Sequence, residues 1–155
     1  EPVESQYDAV IIDVAPSITL LQSCALMYAQ QALIPLTMDP LSLQGAYAVL
    51  QTAWSLNSFF KASIKAVAIL PVMVDKRLAM TDLIYQSIDT ISKEQSLPIL
   101  HSIRVDSTVQ KASRSKQFLQ DFDPKCKAVE DYRIATDELL EYLPGQLDGK
   151  PPTPA

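Results

Sequence analysis

A chain of 155 residues with 48% hydrophobic and 20% charged residues has the make-up of one soluble globular domain and is too short for two of ordinary size. Its net charge of −5 excludes a nucleic-acid binder that acts through overall charge. No apolar run reaches membrane-spanning length, and the acidic, polar start EPVESQ is unlike a secretory signal. Cys24 and Cys126 lie far apart with no histidine at ligand spacing, so neither a zinc site nor a disulfide framework is indicated and a reducing cytoplasm fits.

The chain opens on Tyr7 to Ser17, YDAVIIDVAPS. Ala9 to Val14 is an apolar, β-branched run that predicts a strand buried on both faces of a parallel sheet. Its one charge, Asp13, stands where the strand ends. In open α/β sheets ligands sit at that edge, so Asp13 is a candidate to hold Mg²⁺ and its waters; the alternative is a turn or helix-capping residue. Leu20, Leu21, Cys24, Met27 and Tyr28 then recur at helical spacing. ALIPLT, residues 32–37, predicts a second strand, with Pro35 marking an irregular or edge position. After a loop, MDPLSLQG, a helix is expected over GAYAVLQTAWSLNSFF, with Leu50, Trp54, Phe59 and Phe60 as core contacts.

KAVAILPVMV, residues 65–74, predicts the third strand, Met80 to Gln95 an amphipathic helix, and LPILHSIR, residues 97–104, the fourth strand. His101, the single histidine, has no acid or serine motif beside it and reads as structural. From Val105 the chain turns polar and basic, predicting a loop with a short helix. Between Ser107 and Gln117 stand Lys111, Arg114 and Lys116 with no acid, which leaves −8 for the rest of the chain. FDPKC predicts a turn. Lys125 to Leu143 predicts a last amphipathic helix with Val129, Tyr132, Ala135, Leu139 and Tyr142 on its stripe. One domain is expected over residues 1–145, followed by a Pro-rich disordered tail, 146–155. Strands alternating with helices give an α/β fold, a mostly parallel sheet flanked by helices.

Five segments in order resemble the ParA/Soj/MinD-type deviant-Walker P-loop ATPases. YDAVIIDVAPS is similar to the family's Walker B form YDYIIIDCPPS, and ALIPLTMDPLSLQG to VLIPVQCEYYALEG. PVMVDKRLAMTDLI resembles LTMYDSRTNLSKQV, and SIRVDSTVQKASRSKQ resembles IPRNVRLSEAPSHGKP. FDPKCKAVEDYRIATDELL resembles YDPKSKGAEAYLELAKEVI. The family's phosphate-binding KGGxGKT loop and its DxDPQ motif have no counterpart in this sequence, so the resemblance is to the C-terminal part of such a protein.

The resemblance implies the C-terminal part of a P-loop NTPase-like fold and roles for particular residues. Asp13 takes the Walker B role of holding Mg²⁺ through water. Arg104, Val105 and Asp106 fall on the adenine-side loop, with Arg104 at the family's Pro and Asp106 at its Asn. A carboxylate only accepts hydrogen bonds where an amide also donates, so base recognition departs from the family's. Asp39 and Gln44 stand at two of the family's Glu positions, and Ala15 at the first Pro of the Walker B tail. Lys111, Arg114 and Lys116 fall where the family binds DNA without sequence preference, through phosphate contacts that release counterions. The whole protein would then be an ATPase that partitions or positions DNA or another cargo. It would use ATP and Mg²⁺, act as an ATP-bound homodimer on non-specific DNA, answer to a ParB-like stimulating adaptor and sit in the cytoplasm on the nucleoid. This chain alone is expected to be inactive. The alternatives are a truncated, non-catalytic dimerisation or interaction module and, ranked last, a receiver-like domain phosphorylated on the acid of IIDVAP.

Overall fold

The computed structural model describes Tyr7, residues 9–15 and residues 20–143. The Pro-rich tail and the turn at Pro16 and Ser17 lie outside the described residues. Among those described, the elements run α1 (Leu20–Ala29), β1 (Gln31–Thr37), α2 (Pro40–Phe60), β2 (Lys65–Val72), α3 (Ala79–Gln95), α4 (Ser107–Arg114), α5 (Leu119–Phe122) and α6 (Lys127–Tyr142). β1 and β2 pair in parallel, Gln31 opposite Lys65 and Thr37 opposite Val72, with a register shift between Ala32 and Leu33. The fold is α/β, as expected, with a parallel sheet flanked by helices.

The sheet is wider than its two regular strands. Segment 98–105 runs beside β2, bridging in parallel at Ile69–Ile99 and Val74–Arg104. It exchanges main-chain hydrogen bonds at Ile69 N–H to Pro98 O, Leu100 N–H to Ile69 O, Ile103 N–H to Pro71 O, Val74 N–H to Ile103 O and Val105 N–H to Val74 O. The expected fourth strand is therefore an irregular, bridged segment. Pro98 has no N–H to give, and Arg104 directs its own N–H to a side chain.

Ile34, Leu36 and Ile69 of the sheet pack with Ala46, Ile84, Ile88, Ile91 and Leu97 to form the main core. Leu26, Ala53, Leu56 and Ile64 make a second cluster under α1 and α2. β2 is the central strand: Ile69 and its neighbour Ala68, on opposite faces, are both fully buried, and α6 packs on β2. β1 is covered on one face only, since Ile34 and Leu36 are buried while Leu33 and Pro35 are exposed.

α2 begins five residues before GAYAVL, because its start is built by side chains. Asp39 accepts from the Ser42 N–H at 2.9 Å, the Thr37 hydroxyl donates to Asp39, and Ser42 Oγ accepts from the Thr37 N–H at 3.0 Å. Pro40 sits in the first turn, where its missing N–H costs nothing. At its other end Asn57 satisfies both main-chain groups of Ile64 at 2.8 Å, fastening the turn into β2. Lys61 and Ser96 close α2 and α3 in the left-handed conformation, each with φ of 53°. Gly45 lies inside α2 with open space where a Cβ would stand.

Packing departs from the apolar pattern of the sequence in four places. Ala9 to Val14 belongs to no strand among the described residues, and all of it is exposed except Val14, with Ile11 93% exposed. A two-sided buried strand needs a ladder partner at each edge and a layer on each face, and none of the described elements supplies them. On α1, Gln22 and Leu26 face inward while Leu20, Leu21, Cys24, Met27 and Tyr28 face out. On α2, Trp54, Phe59 and Phe60 are 66–81% exposed rather than core, because the buried stripe runs through Ala46, Ala53 and Leu56. α6 is also phased differently: Ala128, Asp131 and Ala135 are buried, whereas Tyr132 and Tyr142 are exposed.

Candidate functional site

The three parallel segments place their carboxyl ends together, and each end carries an aspartate: Asp39 after β1, Asp75 after β2 and Asp106 after segment 98–105. Each is engaged locally. Asp39 caps α2, and the Thr37 hydroxyl, followed by the Ser42 N–H, holds its carboxyl below the ordinary range. Asp75 accepts from Arg77 through N–H, Nε and Nη2 at 3.0, 2.8 and 2.6 Å, and the guanidinium lowers its pKa to about 2. Asp106 caps α4, accepting from the Thr108 N–H at 2.8 Å. Its other oxygen accepts from the Cys126 thiol at 3.2 Å. Thr108 first, then Cys126, keeps Asp106 ionised at lower pH than usual.

Arg104 is spoken for as well. Its Nε and Nη2 donate to the two oxygens of Asp131 on α6, each at 2.6 Å, and its main-chain N–H reaches the same carboxylate at 3.1 Å. Asp131 is 1% exposed. The Arg104 guanidinium outweighs the cost of burying that charge and lowers its pKa to about 2. His101 Nε2 lies 3.4 Å from Asp131, and the His101 main-chain N–H donates to Glu138 at 2.5 Å. His101 thus joins a network with Asp131 and Glu138, acids that stand far from it in sequence.

Of the three residues expected beside a nucleotide base, Arg104 and Asp106 have their polar groups engaged by Asp131 and Cys126, Arg104 while half exposed, and Val105 is exposed with an apolar side chain. Asp13 is exposed, and it makes no hydrogen bond or ion pair with another described residue. Among the described residues no group of three or more His, Cys, Asp or Glu is placed to hold a metal ion. By themselves these residues do not fit a magnesium or nucleotide site: they include one free carboxylate and no phosphate cradle.

Lys111, Arg114 and Lys116 are all exposed at the end of α4 and just past it. None pairs with an acid among the described residues. Arg133, by contrast, is held by Glu130 and Asp137. The basic run is therefore a set of three free surface cations. Phe118, 83% exposed, follows closely. Sequence reasoning passed over Asp131 and Glu138. The available signal was an acid at a core-facing position of α6, the 128–131–135 phase, which an apolar stripe count skips.

The sheet and its helices make an α/β chain, an architecture consistent with a P-loop NTPase-like fragment. Residues 1–66 match a family described as AAA domain. The chain is 28% identical over 141 residues to the cell division protein PomZ of Myxococcus xanthus (strain DK1622), covering 91% of this chain and 44% of that protein. It is 27% identical over 142 residues to the chromosome partitioning protein ParA of the same organism, covering 90% and 49%. With a ParA family protein of Chlamydia muridarum (strain MoPn / Nigg) it shares 31% over 146 residues, covering 91% and 54%. The chain is related to the ParA-type P-loop ATPases, and it spans about half the length of the curated relatives it matches. No helix among the described residues is long and apolar enough to cross a membrane.

Proposed function

We propose that this chain is the C-terminal part of a ParA-like protein that positions or partitions DNA or another cargo in an ATP-dependent way. The observation that carries the reading is the ordered similarity over nine-tenths of the chain to proteins named for cell division and chromosome partitioning. In the whole protein Asp13 holds Mg²⁺ through water, and the phosphate cradle comes from residues outside this chain. Lys111, Arg114 and Lys116 contribute a sequence-independent phosphate-binding surface, doubled in a nucleotide-bound homodimer on the nucleoid, with a ParB-like adaptor stimulating turnover. Free cations on one face are what such binding requires. A second reading, a non-catalytic interaction module, is favoured by the engagement of Arg104 and Asp106 within the protein.

One experiment decides between them. The product of the complete reading frame that contains Glu1 is assayed for ATP turnover and for ATP-dependent retention on DNA at several salt concentrations. The ATPase reading expects turnover that Asp13→Ala abolishes. It also expects Ala at Lys111, Arg114 and Lys116 to flatten the plot of log affinity against log salt by about 0.9 for each lost phosphate contact. Absent turnover and an unchanged salt slope leave the module.

A further inference from the structure

Asp106, Arg104 and His101 are each held by α6 or its cap, and the three contacts follow a matched spacing. Cys126, the N-cap of α6, meets Asp106; Asp131 meets Arg104; Glu138 meets the His101 main chain. From 126 to 131 the helix rises about 7.5 Å, and from 131 to 138 about 10.5 Å. The extended segment covers about 6.6 Å from 106 to 104 and about 10 Å from 104 to 101. Helix and segment therefore run antiparallel in register, as a ladder of three rungs. The middle rung is the strongest, a bidentate ion pair on a buried carboxylate.

The residues of this ladder differ together from the family forms quoted above. IPRN has Pro and Asn where Arg104 and Asp106 stand, and YDPKSKGAEAY has Ser and Ala where Cys126 and Asp131 stand. All four departures meet in space. The Arg104 N–H is bonded to Asp131 and not to β2, so a proline at that position forfeits no ladder bond of the sheet.

We propose that Asp131 is the positioning residue of segment 101–106. It pins the segment so that the carboxyl edge of the sheet presents the Val105 side chain and main-chain groups to a ligand, with the Arg104 guanidinium and the Asp106 carboxylate already engaged by α6 and its cap. The functional meaning of that edge rests on the nucleotide reading above, whereas the clamp itself does not.

The test uses this chain without nucleotide, so failure of the ATPase reading leaves its outcome standing. Backbone amide exchange and the Arg104 Nε–H resonance are followed in Asp131→Ala, Arg104→Pro and the double variant. Asp131→Ala is expected to remove the slowly exchanging Nε–H signal. It should lower protection of the His101 and Val105 amides by at least about tenfold more than that of β1 and β2. The double variant, which restores the family's pairing, is expected to recover Val105 protection to within about threefold of the parent, a coupling that independent sites do not show. Uniform loss across the sheet, or an Nε–H signal indifferent to Asp131→Ala, overturns the proposal. So does a double variant no better than the sum of its parts. Should Asp131→Ala fail to fold, a folded double variant with protected Val105 supports the clamp and an unfolded one overturns it.

Discussion

Residues 9–15 and 98–106 invite direct comparison. Each overlaps a run expected as a strand, residues 9–14 or 97–104, and each carries an aspartate at or near its end, Asp13 or Asp106. The second lies along β2 with five main-chain hydrogen bonds, buries Ile103 to 2% exposure and is gripped by α6. The first has no ladder among the described residues and leaves Ile11 almost wholly in solvent. The difference teaches that a hydrophobic run specifies a strand only conditionally. Composition says that the run can be buried, while a paired edge and a covering layer decide whether it is.

The largest effect expected from breaking this contrast is at Arg104. Arg104→Ala leaves a carboxylate buried at 1% exposure without its guanidinium and should lower stability in urea unfolding more than any other change named here. A loss below about 1 kcal/mol would mean that solvent reaches Asp131. Next comes Ile103→Ala, expected to cost about 2–5 kcal/mol by cavity formation. Acid titration ranks third. The Asp131 pKa falls from 3.8 to about 2 in the folded protein, so its contribution is fully present above the unfolded value and is lost as pH drops through the folded one. Between pH 4 and 2 the parent should lose about 2 kcal/mol more than an Asp131→Asn variant. Equal acid profiles would assign the loss to other carboxylates. Smallest is Ile11→Ala, expected to stay within about 0.5 kcal/mol; a cost like that of Ile103→Ala would show that the first segment is buried after all.

Element order was legible in the sequence because β-branched runs and helical spacing alternate cleanly from Gln31 to Gln95. The start of α2 was legible too but was read as loop: Asp39-Pro40 is a capping acid followed by the one residue suited to a first helical turn. The outward faces of α1 and of Trp54 were not legible, since periodicity gives the width of an apolar stripe and not the presence of something to cover it. Nor was the site. Arg104 and Asp131 stand 27 positions apart, and their attraction leaves no mark in a single chain's local pattern. The free cations of α4 were legible because their isolation from acids is a property of the local sequence.

The helix ends hold a consequence of another kind. Side chains at Lys61 and Ser96 occupy left-handed backbone that glycine adopts without strain, while Gly45 sits inside a helix where alanine is worth about 1 kcal/mol more. Chain flexibility is thus placed opposite to where the backbone asks for it. Exchanging these placements, with alanine at 45 and glycine at 61 and 96, offers a thermostabilised scaffold whose carboxyl edge and basic surface are untouched.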